Sequence, residues 1–268
     1  MDLREPAVAG QFYSSNKDEL LREVSEYFSN AKKASFKSEI IIVPHAGYVY
    51  SGKVAASGFK VLKKKKTYII LGPNHTGLGP EISISNSNFW ETPIGKVKVN
   101  HELSKSIANE IGELDELAHI GEHSVEVQLP FLQYLFKEDF DIVAISIATD
   151  DLWKLKRLGE ILANASKKYD LGIIVSSDFS HFLELEETKK RDFEAIKYIE
   201  SMAVDGFYNA VKSKNMSICG ASPIVSGMAY YGQRAKEFSK GTLIEYSTSS
   251  EVSGDFSSVV GYAAIGFE

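Results

Sequence analysis

Apolar residues in this chain follow two patterns. Short unbroken runs of β-branched and aliphatic residues, Ile40-Ile41-Ile42-Val43, Tyr68-Ile69-Ile70-Leu71 and Ile173-Ile174-Val175, are bounded by Gly, Pro and Ser. Runs of this kind predict strands buried on both faces, as in parallel sheets covered by helices. Elsewhere the apolar positions recur at helical spacing. Leu20, Leu21, Val24, Tyr27 and Phe28 do so within Asn16 to Ala31, which opens on a capping-box pair, Asn16 and Glu19. Leu152, Leu155, Leu158, Ile161, Leu162 and Ala165 form one apolar stripe, as a helix packed on a sheet requires.

Extended along the chain, the same reasoning predicts further strands at Ile82–Ser85, Lys96–Val99, Asp141–Ile147, Leu171–Val175, Leu243–Thr248 and Val259–Phe267. It predicts helices over Ser51–Lys63, His101–Ile111, Val125–Phe136, Leu152–Lys168, Glu186–Ile199, Met202–Lys212 and Pro223–Tyr231. The first two strands and the helix between them make a βαβ unit with a right-handed crossover. Alternating strands and helices imply an α/β fold, a three-layer α/β/α sandwich around a mostly parallel central sheet. No fixed-period repeat and no Pro- or Gly-rich linker divides the chain, and the polar stretch Ser247–Ser258 reads as a surface loop, so residues 1–268 are taken as one domain.

Composition narrows the function classes. With 44% apolar and 25% charged residues the chain is ordinary globular protein, and a net charge of −6 gives no basic footprint for nucleic acid. The basic run Lys63–Lys66 fits a solvated turn. A single cysteine rules out an intrachain disulfide, and the first residues lack the pattern of a signal peptide. No apolar stretch approaches the roughly 20 residues a membrane helix needs. A cytoplasmic protein is expected, without nucleic-acid or membrane partners.

The candidate chemistry lies where the strands end. Ligands of parallel sheets bind beyond the carboxyl ends of the strands, and there the chain carries Pro44-His45-Ala46-Gly47-Tyr48, Gly72-Pro73-Asn74-His75 and Ser176-Ser177-Asp178-Phe179-Ser180-His181. Three imidazoles and a carboxylate should therefore meet on one sheet edge. A lone loop histidine is most often a polar surface group. Two in equivalent positions on neighbouring strands instead suit a metal ion, which needs neutral imidazoles held by rigid elements. Asp178 and His181 are spaced to share one face of a helical turn. The carboxylate can ligate a metal, orient an imidazole or cap a following helix, and His181 suits proton transfer.

Cys219, at the start of a predicted helix, admits both an inert core position and a thiolate activated by the helix N-terminus. Glu122-His123-Ser124-Val125-Glu126 places two carboxylates and His123 where they can line a helix end or relay protons. His101 and His119 fit structural positions. Walker loops, dinucleotide fingerprints, Gly-x-Ser-x-Gly elbows and Cys-x-x-Cys pairs are absent.

Taken in order, Arg4-Glu5-Pro6-Ala7-Val8-Ala9-Gly10-Gln11-Phe12-Tyr13, Pro44-His45-Ala46-Gly47-Tyr48, Gly72-Pro73-Asn74-His75, Glu122-His123-Ser124, the Ser176–His181 segment and Cys219-Gly220 resemble the Memo family over nearly the whole chain. That family comprises the mediator of ErbB-driven cell motility and its bacterial and archaeal relatives. It is similar in fold to the LigB-type class III extradiol dioxygenases, in which two histidines and a glutamate hold Fe(II). The resemblance implies His45, His75 and Cys219 as metal ligands, with Cys219 where the dioxygenases place Glu. It makes His181 the proton-transfer histidine, with Asp178 beside it, and Asp178, His181 and His123 are expected to line the same cleft without being obligatory metal ligands. It also implies a transition metal, Fe(II) first, with Cu or Zn also suited to a two-His, one-Cys set. In microbes it implies a functional link to AMMECR-type and radical SAM proteins. A metal-dependent, dioxygenase-like oxidoreductase of unassigned substrate is one expectation. A non-catalytic protein recognising a peptide or small anionic ligand in the same cleft is another, and a zinc hydrolase with His181 or Glu126 handling the proton is a third.

Overall fold

In the computed structural model, which describes residues 2–137, 139–234 and 239–268, each unbroken apolar run is a strand with both faces covered. The chain runs β1 (Leu3–Arg4), α1 (Lys17–Asn30), β2 (Ile40–Val43), α2 (Tyr48–Val61), β3 (Thr67–Pro73), β4 (Ile82–Ser85), β5 (Phe89–Thr92), β6 (Gly95–Val99), α3 (His101–Ala108) and β7 (Glu113–Asp115). A 3₁₀ turn at Glu126–Gln128 leads into α4 (Leu129–Phe136), β8 (Asp141–Ile147), α5 (Leu152–Ala165), β9 (Leu171–Ser176) and β10 (His181–Leu183). Then follow α6 (Leu185–Glu200), α7 (Val204–Ser213), α8 (Ala221–Gly232), β11 (Gly241–Thr248), α9 (Ser250–Ser253) and β12 (Val259–Phe267).

The heart of the sheet is the parallel set β6-β8-β3-β9-β2. β12 extends it antiparallel to β2, and β11 and β10 pair with β12; β5 and β4 add antiparallel strands near the other side. Successive strand residues point to opposite faces, and here they feed two cores. Ile40, Ile42, Ile69, Leu71, Ile173 and Val175 pack with α3, α5, α6, α7 and α8. Ile41, Val43, Ile70 and Ile174 pack with α1, α2 and α4. A mostly parallel sheet is thus sandwiched between two helical layers, as the sequence predicts. Each fully buried Ile or Val contributes about 1.5–3 kcal/mol by leaving water, so this central set anchors the sheet edge.

Two predicted relations change. β2 and β3 are not neighbours, because β9 lies between them. α2 begins at Tyr48, three residues before the predicted Ser51. The polar Ser247–Ser258 stretch holds the single turn α9 within its loop. At α1, Asn16 caps the helix by accepting from the Asp18 and Glu19 amides, but the box is not reciprocal, since the Glu19 carboxylate accepts from Ser14 Oγ instead. Among the described residues no helix is long and apolar enough to cross a membrane.

Candidate metal centre

β2, β9 and β3 run parallel and end together, so the turns that follow them share one edge of the sheet. His45 projects from the first turn, Asp178 from the second and His75 from the third. Asp178 Oδ1 accepts from the backbone amides of His45 (2.8 Å) and Ala46 (3.3 Å), tying two turns together. This corrects the expected helical turn over Asp178–His181. Asp178 caps no helix, and His181 opens the short strand β10. The local reason is pairing: His181 is aligned with Val260 of β12, which draws the chain into an extended path.

Cys219 arrives from the other side, one residue before the Gly220 that precedes α8. Its Sγ lies 3.2 Å from His45 Nε2. The approach depends on Gly220, whose amide donates to Ser177 Oγ at 3.1 Å and where any Cβ would collide with the Ser177 side chain. Gly72 does the same for the Glu122-His123-Ser124 segment. A Cβ there would strike Ser124, whose hydroxyl donates to Pro73 O at 3.0 Å.

The imidazoles cluster tightly. Ring centroids of His45 and His75 are 5.1 Å apart, those of His45 and His123 5.4 Å, and His75 and His123 stack at 4.8 Å with 14° between planes. One donor atom from each of His45, His75 and Cys219 falls within 4.8 Å of the other two. His75, Glu122 and His123 form a second such group. In that group the carboxylate is already committed. Glu122 Oε1 faces His75 Nδ1 (2.9 Å) and accepts from the amides of His123 and Ser124 (each 2.9 Å), while Oε2 takes the His75 amide (2.5 Å). Glu122 therefore orients His75, and His45, His75 and Cys219 remain as the candidate donor set.

The three candidate donors differ in their electrostatics. His45 is 2% exposed, and burial, reinforced by the neighbouring imidazoles of His123 and His75, pushes its pKa well below the ordinary histidine value. His123 is likewise lowered by burial. For His75 burial also opposes the charge, but the hydrogen bond and negative charge of Glu122 outweigh it and raise the pKa. Burial works against the Glu122 carboxylate too, yet His75 and the backbone donors bring it down to about 2. Asp178 is raised to about 6 by burial, against the pull of the His45 amide and the His181 charge. The Cys219 thiol is pushed up by burial and then by the Asp178 carboxylate. The helix start does not win there, and an activated thiolate is not the resting state.

His181 Nδ1 lies 2.8 Å from Ser217 O. A carbonyl only accepts, so Nδ1 carries the proton and Nε2 is left as the basic nitrogen. The ring is partly exposed. Phe12 packs on His123 with centroids 4.8 Å apart, walling the cluster from the N-terminal side. Glu126 lies elsewhere. It is fully buried in an ion pair with Arg4 and accepts from Tyr13 Oη at 2.5 Å and from the amides of Ala7 (2.7 Å) and Val8 (3.1 Å). It has no free oxygen for a proton relay. His101 bonds Asn88 at 2.8 Å on the surface, and His119 is buried against Ser83 at 2.9 Å, both away from the cluster. Sequence reasoning passed over Ser176, whose hydroxyl is 2.9 Å from His45 Nδ1. The available signal was a serine pair ending an otherwise apolar strand.

A three-layer α/β protein with two imidazoles and a thiol converging on the carboxyl edge of its sheet defines a class of candidate metal-binding proteins. The sequence profile of the Memo-like proteins matches residues 4–266, and the chain belongs to the Memo family. It is 42% identical to a MEMO1 family protein of Methanococcoides burtonii over 98% of this chain and 99% of that one. To the MEMO1 family protein of Methanosarcina barkeri it is 40% identical over 98% and 99% of the two chains. To that of Aquifex aeolicus it is 38% identical over the full length of both.

Proposed function

We propose that this protein binds one transition metal ion through His45, His75 and Cys219 and uses it in a redox reaction on a small organic substrate. One observation carries this: two imidazoles and a thiol from three separate elements place donor atoms within 4.8 Å, and the most buried of them, His45, is held neutral. Two nitrogens and a sulfur suit iron, copper or zinc. The extradiol dioxygenases to which the sequence resemblance points hold Fe(II), and iron(II) is therefore taken first. Bound there, such an ion supplies Lewis acidity and, for iron or copper, one-electron chemistry.

The chain's own residues supply the rest. Glu122 orients His75 and opposes its rotation away from the cluster. Asp178 holds the His45 turn through two backbone amides. His181 presents Nε2 at the rim as a proton acceptor, and Phe12 with His123 excludes water from one side.

Protein purified without oxygen should contain about one equivalent of metal, identified by elemental analysis. His45→Ala protein should lose most of it, whereas His181→Ala protein should keep the metal and lose any dioxygen uptake that small phenolic substrates elicit. Full metal content in His45→Ala would overturn the assignment of the ligands. Loss of metal in His181→Ala would move His181 into direct coordination.

A further inference from the structure

The hydroxyl of Ser176 is surrounded by three polar atoms. It lies 2.6 Å from Ser124 O, 2.9 Å from Gln128 Nε2 and 2.9 Å from His45 Nδ1. A serine hydroxyl has one hydrogen to give. Ser124 O is a carbonyl and can only accept, so that hydrogen goes to it. Gln128 Nε2 must then donate to Ser176, and its second hydrogen is spent on Pro44 O at 2.9 Å. Turning the amide over would set its oxygen against the Pro44 carbonyl. Its orientation is held even though Oε1 is left buried with no partner among the described residues. The remaining contact is fixed by elimination: Ser176 accepts, and His45 Nδ1 donates.

We infer that Ser176 is a positioning residue that locks His45 in the Nδ1–H form and so aims the Nε2 lone pair at Cys219 and the metal. The same segment sets the other imidazole. Ser124 uses its carbonyl to take the Ser176 hydrogen and its amide to donate to Glu122 Oε1, the oxygen facing His75 Nδ1. Glu122-His123-Ser124 therefore orients both histidines, one through a carboxylate and the other through a relayed hydroxyl. A metal takes the lone pair of a neutral imidazole, and the hydrogen bond at the other nitrogen decides which lone pair is offered. Ser176 is fully buried, so water cannot replace it.

This role presupposes the metal binding proposed above, and the tests separate the two. In metal-free protein labelled with ¹⁵N-histidine, His45 should show a protonated Nδ1 and an unprotonated Nε2, and Ser176→Ala should mix the two forms. An unprotonated Nδ1 in the wild-type protein would overturn the inference without touching metal binding. Cobalt(II) then serves as the metal probe, followed through its sulfur charge-transfer absorption. Ser176→Val and Ser176→Thr have the same shape and differ by the hydroxyl, so packing damage is common to both. The Val variant should bind cobalt roughly 10- to 100-fold more weakly than the Thr variant, the range seen when such supporting hydrogen bonds are lost. Equal affinities would refute the positioning role. If the wild-type protein fails to bind cobalt, the proposed function falls instead.

Discussion

At the scale of single residues, the least expected result is the resting state of Cys219. A cysteine at a helix start invites an activated thiolate, yet burial and the Asp178 carboxylate hold this thiol protonated, with His45 Nε2 at 3.2 Å. The metal-free protein should therefore alkylate with iodoacetamide at pH 8 at least about 10-fold more slowly than an unstructured cysteine. Binding a metal should release close to one proton from Cys219, measured by calorimetry in buffers of different ionisation enthalpy. Rapid alkylation, or binding without proton release, would remove the thiolate from the ligand set. His45 and His75 are legible in the sequence because an apolar run ending in a turn and a histidine carries its own meaning. The supporting parts played by Ser176, Glu122 and Asp178 are not, since each depends on which turn lies within 3 Å of it after folding.

At the scale of elements, legibility follows burial. β2, β3, β8 and β9 stand out because both faces are covered and each carries an unbroken apolar run at its centre, and α1 and α5 because one stripe is apolar. β1, β5, β7 and β10 do not, being two to four residues long and carrying polar or exposed positions such as Phe182. They exist because distant partners complete them, as when Leu3 and Arg4 align with Phe89 and Trp90. The predicted helix from Val125 begins as a 3₁₀ turn, with α4 itself opening at Leu129 just ahead of Pro130. The segment from Arg4 to Tyr13, with little regular structure, acts as a strap. Arg4 pairs with Glu126 and donates to His119 O at 3.0 Å and Glu122 O at 2.5 Å, while Phe12 lies on His123. Glu126→Gln keeps the shape but strands the buried guanidinium, and should lower unfolding free energy by about 3–5 kcal/mol. Glu110→Gln, which breaks a surface pair with Arg157, should leave the denaturation midpoint nearly unchanged. Equal effects in urea denaturation would mean that the strap is not what holds Glu122 and His123 against the sheet.

At the scale of the whole molecule, the buried histidines set how stability responds to acid. His119 is fully buried, with Nε2 on Ser83 and, among the described residues, no partner for Nδ1. Burial lowers its pKa to about 4, the Arg4 charge assisting and Glu116, Asp115 and Glu122 opposing. An unfolded histidine protonates near 6.5. Between these values the unfolded chain holds the extra proton, so stability present above pH 6.5 is lost as the pH falls through about 4. His45 and His123, also lowered, act in the same direction. Asp178 acts oppositely: its carboxyl is raised to about 6, so the folded state holds the extra proton above the ordinary aspartate range and gains stability as the pH falls. Comparing slopes isolates one contributor from this sum. Between pH 6.5 and 4.5 metal-free His119→Gln protein should lose about 2–3 kcal/mol less unfolding free energy than the wild type, at 1.36 kcal/mol per pH unit. The window ends above the range in which Glu122, held at about 2, begins to protonate. Urea titrations at several pH values give both curves, and parallel curves would show that His119 takes up its proton as readily folded as unfolded, against its burial between Ser83 and Trp90.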